Sequence, residues 1–154
     1  MRTREKRETF VLSREQVKDM AKLQNTIVEE GFEDFDDSKL ITGLSIGGTV
    51  GSFLFSLPNP VTLTAGVIAV LSGNVEPISD ACERLANEGQ KYTLHLKEII
   101  EENSQIDYIK VELPIFEFVD DDLQFVMSEG IVEKVRAYHS WVSPNQFPDI
   151  EWDM

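Results

Sequence analysis

The chain has 154 residues and carries 28 Asp and Glu against 14 Lys and Arg, a formal net charge of -14 at pH 7. That length implies one domain, residues 1–154, able to bury about 68 to 70% of its unfolded surface, and a charge of that sign repels phosphate backbones, so no nucleic acid is expected as a partner. The single cysteine, Cys82, rules out an internal disulfide and fits a reducing compartment.

Arg2, Arg4, Lys6 and Arg7 make the N-terminus basic, but Glu5 and Glu8 interrupt the run and no apolar core follows it directly, so it does not read as a signal peptide. Residues 1–12 are expected to be a solvated arm ending in a short strand at Glu8 to Leu12. Ser13 then opens a helix, 13–31: Ser13 and Gln16 have capping-box spacing, with Leu12 and Val17 placed for the hydrophobic staple. Val17, Met20, Ala21, Leu23, Ile27 and Val28 follow the helical period and Gly31 supplies the stop. Phe32 to Lys39 is an acidic connector in which Asp37 or Ser38 caps the next element. A Ca²⁺ loop needs Gly at its sixth position and Glu at its twelfth; neither falls in place from Asp34 or Asp36, so no metal is expected there.

Leu40 to Val75 contains no Asp, Glu, Lys, Arg or His. Leu40 to Leu57 reads as one helix, Pro58-Asn59-Pro60 as a turn and Val61 to Ser72 as a second helix, with Asn59 as its cap and Gly73 as its stop. The result is an apolar helical hairpin over 40–73. Gly43, Gly47 and Gly51 recur at steps of four and form a line that lets another backbone approach closely, while Ile46, Val50, Phe53 and Leu57 form a bulky stripe on another face. Two settings suit a helix with no charged face, a protein interior or a membrane. The first arm, about 18 residues, is long enough to span a bilayer; the second, about 13, is not. Acidic flanks also depart from the basic flanks usual on the cytoplasmic side. Burial in a soluble domain or an oligomer is therefore the leading expectation, and a re-entrant membrane hairpin the alternative.

Pro77 starts a long amphipathic helix to Glu102, with Ile78, Cys82, Leu85, Gly89, Tyr92 and Leu96 on one face and mostly charged residues on the other. From Ile106 the pattern changes to strands. Ile109, Val111 and Leu113 alternate with Lys110 and Glu112, Pro114 implies an edge or a bulge, and the Asp120-Asp121-Asp122 run turns the chain back into Leu123, Phe125 and Met127. Ile131 to Val142 fits either a helix or a strand, and the Gly130 turn favours a third strand in this β-rich region, 106–142. Residues 143–154 read as an extended tail in which Phe147, Ile150 and Trp152 alternate with Asp149, Glu151 and Asp153. Such a tail either packs on its own domain or docks in a partner's groove.

Gly43-Leu44-Ser45-Ile46-Gly47 matches the G-x-S-x-G pattern of a nucleophile elbow, with His95 or His139 and Asp107 or Asp120 as formal partners. The motif works on a sharp strand-to-helix turn, whereas here it lies inside a helix that follows an acidic linker. The two histidines and the cysteine lack metal-ligand spacing, and Cys82 lies on an apolar face where a thiol behaves as a small hydrophobe. No cofactor motif is present. These features lead to an α+β expectation: an N-terminal helix, the apolar hairpin and the long helix, followed by a small antiparallel sheet. The expected function is a non-enzymatic interaction or assembly protein, cytoplasmic or assembly-associated, that binds itself or another protein through Gly43, Gly47, Gly51, Ile46, Val50 and Phe53 and through the long helix, with Phe147, Ile150 and Trp152 as a partner-binding tail. A membrane-associated protein with 40–73 inserted is the alternative.

Overall fold

The computed structural model describes residues 1–154, and it opens with a strand, β1, that runs from Thr3 to Ser13. β1 pairs antiparallel along its whole length with β2, Ile106–Phe118, so that Thr3 lies opposite Phe118 and Ser13 opposite Tyr108. All the α-helices are therefore inserted between two neighbouring strands, and the expected order of helices first and sheet afterwards is overturned. The expected solvated arm with its short strand at Glu8 to Leu12 is corrected with it, since the strand already begins at Thr3. In β1 only Phe10 and Leu12 are buried, so the strand lacks an apolar alternation that would reveal it. Its register is marked by cross-strand ion pairs: Arg4 to Glu117 at 2.5 Å, Arg7 to Glu112 at 2.9 Å, and Arg2 to Asp120 at 3.1 Å. Exposed pairs of this kind add little stability, but a charged edge strand resists pairing with other chains.

Ser13 ends β1 and caps α1, Arg14–Thr26, with both halves of the Ser13–Gln16 capping box formed. The helix widens into a π-helical turn at Ile27–Glu33 before the chain leaves it. Arg14 donates to the carbonyls of Ile100, Asn103 and Ile106 at 2.5, 3.0 and 2.6 Å. Its guanidinium thereby satisfies backbone acceptors where the longest helix ends and β2 begins.

The apolar middle of the chain is not a pair of long helices. α2, Asp37–Ser45, is capped by the Asp36 side chain, and α3, Val50–Phe53, is a single turn; between them the chain bends at Gly47-Gly48, where Gly48 has φ +65°. Adjacent glycines in a segment rich in Ser and Thr have weak helix propensity, and glycine adopts the left-handed conformation at no steric cost. The second arm begins later than its pattern implies. Residues up to Thr64 are irregular, and the Thr64 hydroxyl, rather than Asn59, caps α4, Ala65–Leu71. Leu40, Leu44, Leu54, Phe55, Val67 and Leu71 of this stretch lie in the single core, but Ile46 and Phe53 are exposed, so the expected burial on all sides holds for only part of it. No helix is long and apolar enough to cross a membrane.

α5, Ile78–Glu102, has 25 residues, about 38 Å at 1.5 Å per residue, and packs against α1 and the sheet. β2 is the central strand. β1 covers one of its edges; the other is shared by β3, Leu123–Val126, and β4, Ile131–Ala137, with β5, Ser140–Val142, outside β4. Pro114 stands where that neighbour changes. Its carbonyl accepts from the Met127 N–H at 3.0 Å, and its missing N–H falls in the gap between β3 and β4, where no ladder bond is lost. The buried side also changes here: Ile109, Val111, Leu113 and Ile115 are buried on one face of β2, and Phe116 and Phe118 on the other.

Two buried glutamines close the outer edge of β3. The Gln124 side chain donates to the Leu54 carbonyl at 2.7 Å and its backbone N–H to that of Phe55 at 3.0 Å. Gln24, fully buried on α1, donates to the Val126 and Ala86 carbonyls at 2.8 and 3.0 Å and accepts from the Val126 N–H at 3.0 Å. One side chain thus joins α1, α5 and β3.

Candidate functional site

Along the first half of β2, one face of the sheet looks away from the helices, and the strand registers fix what it carries. One row runs Ser13, Tyr108, Arg136, Trp141; the next Val11, Lys110, Lys134; the third Thr9, Glu112, Ile131. Register shifts that leave Asp107 and Glu133 as extra residues keep the rows in phase while Ile109, Val111 and Val135 stay on the core side. Trp141 is 45% exposed, Val11 50% and Ile131 55%. The Arg136 guanidinium sits 5.3 Å from the centre of the Tyr108 ring and 3.8 Å from Asp107, a cation–π arrangement that ties it to the neighbouring strand. Arg7 takes up Glu112.

Lys110 and Lys134 lie directly opposite each other, both exposed, and neither has a carboxylate partner. Like charges facing one another across a strand pair are destabilising. In a chain with twice as many acidic as basic residues, two adjacent unpaired lysines form a local inversion of the surface charge.

The turn that joins β4 to β5 adds a second unfavourable feature at the same place. Ala137 pairs with Ser140, and Tyr138 and His139 between them have φ of 52° and 66°. Such a two-residue turn favours Asn-Gly, and a non-glycine residue held in the left-handed region costs about 1 to 3 kcal/mol. Tyr138 is 79% exposed, so no burial compensates. Changing Tyr138→Asn together with His139→Gly is expected to stabilise the fold by about 1 to 3 kcal/mol, read as a higher urea midpoint at unchanged slope.

The expected site residues are placed elsewhere. A Cβ on Gly43 would lie 2.6 Å from Thr26 Cγ2, and one on Gly47 would lie 2.4 Å from Leu23 Cδ1, so the close approach these glycines permit is to α1 of the same chain. Gly51 has only ordinary contacts, the nearest at 3.8 Å. Ile46 and Phe53 are exposed while Val50 is buried, which splits the expected stripe. Gly47→Ala is therefore expected to cost about 1 to 3 kcal/mol by overpacking, and Gly51→Ala to stay within about 0.5 kcal/mol of wild type or to stabilise; thermal unfolding of the pair checks the contrast.

Phe147, Ile150 and Trp152 pack half-buried against the core of their own chain. The Trp152 indole N–H donates to the Pro144 carbonyl at 3.2 Å, His95 Nε2 donates to the Glu151 carbonyl at 2.6 Å, and the Met154 N–H reaches Glu129 at 2.7 Å. Asp149, Glu151 and Asp153 remain exposed on the outside of this packed tail.

The Ser45 hydroxyl donates to the Ile41 carbonyl of its own helix at 2.7 Å, and no histidine is bonded to it. His95 holds the tail and His139 sits in the β4–β5 turn. Burial pushes the Cys82 thiol up to about 11, which removes thiolate character at neutral pH. No three His, Cys, Asp or Glu side chains are arranged to hold a metal ion.

Sequence reasoning did not find the outward sheet face, although Lys110 with Glu112 and Lys134 with Arg136 carry the polar half of the strand alternation. Two of the three tyrosines, one of the two tryptophans and one of the two histidines meet there. Comparison with protein-family models, with curated proteins and with solved structures gives no match for this chain.

Proposed function

We propose that the protein is a non-enzymatic interaction protein that binds a protein partner through the outward face of its sheet. The observation that carries this reading is the unpaired Lys110–Lys134 couple beside exposed Trp141, two facing cations kept apart from a large excess of carboxylates. Exposed Trp and Arg are the residue types that supply most of the energy at protein interfaces. The strained Tyr138-His139 turn supports the same surface, since strained backbone concentrates at binding sites. Gly43 and Gly47 face α1 of the same chain, and the apolar face of α5 packs largely inside the fold, which supports the sheet over the hairpin as the contact surface.

The test is a photo-crosslinking residue placed at position 141 in the cells that make the protein, with exposed Glu88 on α5 as the control position. The expected result is a discrete protein adduct from 141, none from 88, and loss of the adduct when Lys110 and Lys134 are both changed to Glu. No protein adduct from 141, or equal adducts from both positions, overturns the reading.

A further inference from the structure

A surface opposite in charge to these lysines is present on the chain itself. A cleft of about 310 Å³ where α5 ends against the tail is lined by Glu98, Glu102, Asp149 and Glu151, with His95 at one side. All four carboxylates are on exposed residues and none is in an ion pair; the carboxylate of Glu101, which faces Lys97 at 3.5 Å, is a different one. The molecule thus carries an unpaired cation couple on its sheet face and an unpaired acidic cleft at the end of its longest helix.

Resting on the interaction reading above, we propose that the occupant of the sheet face is a second copy of this chain, whose Glu98, Glu102, Asp149 and Glu151 cleft receives Lys110 and Lys134. The contact is head-to-tail: each copy offers a different surface, so it can be extended by further copies. Three rows at the spacing of alternate strand residues, across four strands, give a patch of only about 14 by 14 to 19 Å. A contact of that size belongs with weak and transient interfaces. The -14 on each copy opposes approach, but at physiological ionic strength that repulsion fades over about 8 Å, so the local charge pairs decide whether the contact holds.

Sedimentation velocity over a concentration series up to millimolar tests this with the wild type and two charge-reversed proteins, Lys110→Glu with Lys134→Glu and Glu98→Lys with Glu102→Lys. Wild type is expected to sediment faster as concentration rises. Each reversed protein alone is expected to remain at the size of one 17.5 kDa chain. Their equimolar mixture, which keeps the wild-type average charge of -14, is expected to associate again as one-to-one pairs, because the native cleft of one protein meets the native face of the other. Circular dichroism confirms that both reversed proteins are folded. A wild type that stays monomeric throughout, reversed proteins that still associate, or a mixture that does not recover association each overturns the proposal. The crosslink separates its failure from that of the interaction reading: an adduct from position 141 larger or smaller than twice 17.5 kDa leaves a protein partner other than a second copy, whereas no adduct removes both.

Discussion

Gly89→Ala is expected to destabilise the protein by about 3 kcal/mol or more, one of the two largest effects that a single substitution has here. Gly89 lies on the buried face of α5 at its crossing with β3, and an added Cβ would fall 1.7 Å from the Val126 carbonyl oxygen and 2.4 Å from its carbon. Those atoms belong to backbone that is itself hydrogen-bonded to Gln24, so they cannot move aside as a side chain end does. The gain in helix propensity from Gly to Ala, at most about 1 kcal/mol, acts in the opposite direction and is smaller. Urea unfolding with an unchanged slope and a sharply lower midpoint is the expected record.

Gln24→Leu is expected to cost about 3 to 5 kcal/mol, since it leaves the Val126 N–H and C=O without their partner and an unsatisfied buried group costs about 1 to 3 kcal/mol. Gln24 is fully buried, and its amide imitates a neighbouring strand by giving one donor and one acceptor to the same residue. Hydrogen exchange at the Val126 amide is expected to accelerate in the variant well beyond the change at Phe116 in the neighbouring strand. Gln24 Nε2 lies 2.9 Å from where a Gly89 Cβ would be, so the two substitutions act on one contact. Their combined cost is expected to fall short of the sum of the two separately.

What the sequence makes visible is the structure dictated locally. The Ser13–Gln16 cap, the long helix from Pro77 to Glu102 and the turn at Asp120 to Asp122 are each written in adjacent residues, and each is found. The uncharged stretch from Leu40 is only partly buried, with Leu40, Leu44, Leu54 and Phe55 in the core but Ile46, Phe53 and most of its Ser and Thr residues near solvent, and its shape is decided by two consecutive glycines and by α1, which no periodicity within the stretch records. β1 is hidden for a related reason. Its charged residues find partners more than a hundred positions later, so its strand character belongs to a pairing rather than to a pattern.

The candidate site is the least legible part because it is made by register. Lys110 and Lys134 become neighbours only when β2 and β4 align, and that alignment depends on the extra residues Asp107 and Glu133. Tyr138 and His139 look like ordinary strand residues until the two-residue turn forces them to positive φ. The glycine line is the converse case. A close approach is found at Gly43 and Gly47 but not at Gly51, and spacing does not say whether the approaching surface belongs to another molecule; here Thr26 and Leu23 of the same chain take that place.

Hydroxyl-radical footprinting inside the cells that make the protein, compared with the dilute purified chain, tests most directly whether the sheet face is the surface in use. Tyr138 and Trp141 are expected to be protected in the cell, while Met1 and Leu94, exposed elsewhere on the molecule, oxidise equally in both settings. Equal oxidation of Tyr138 and Trp141 in the two settings, or protection confined to Ile46 and Phe53, would contradict the account.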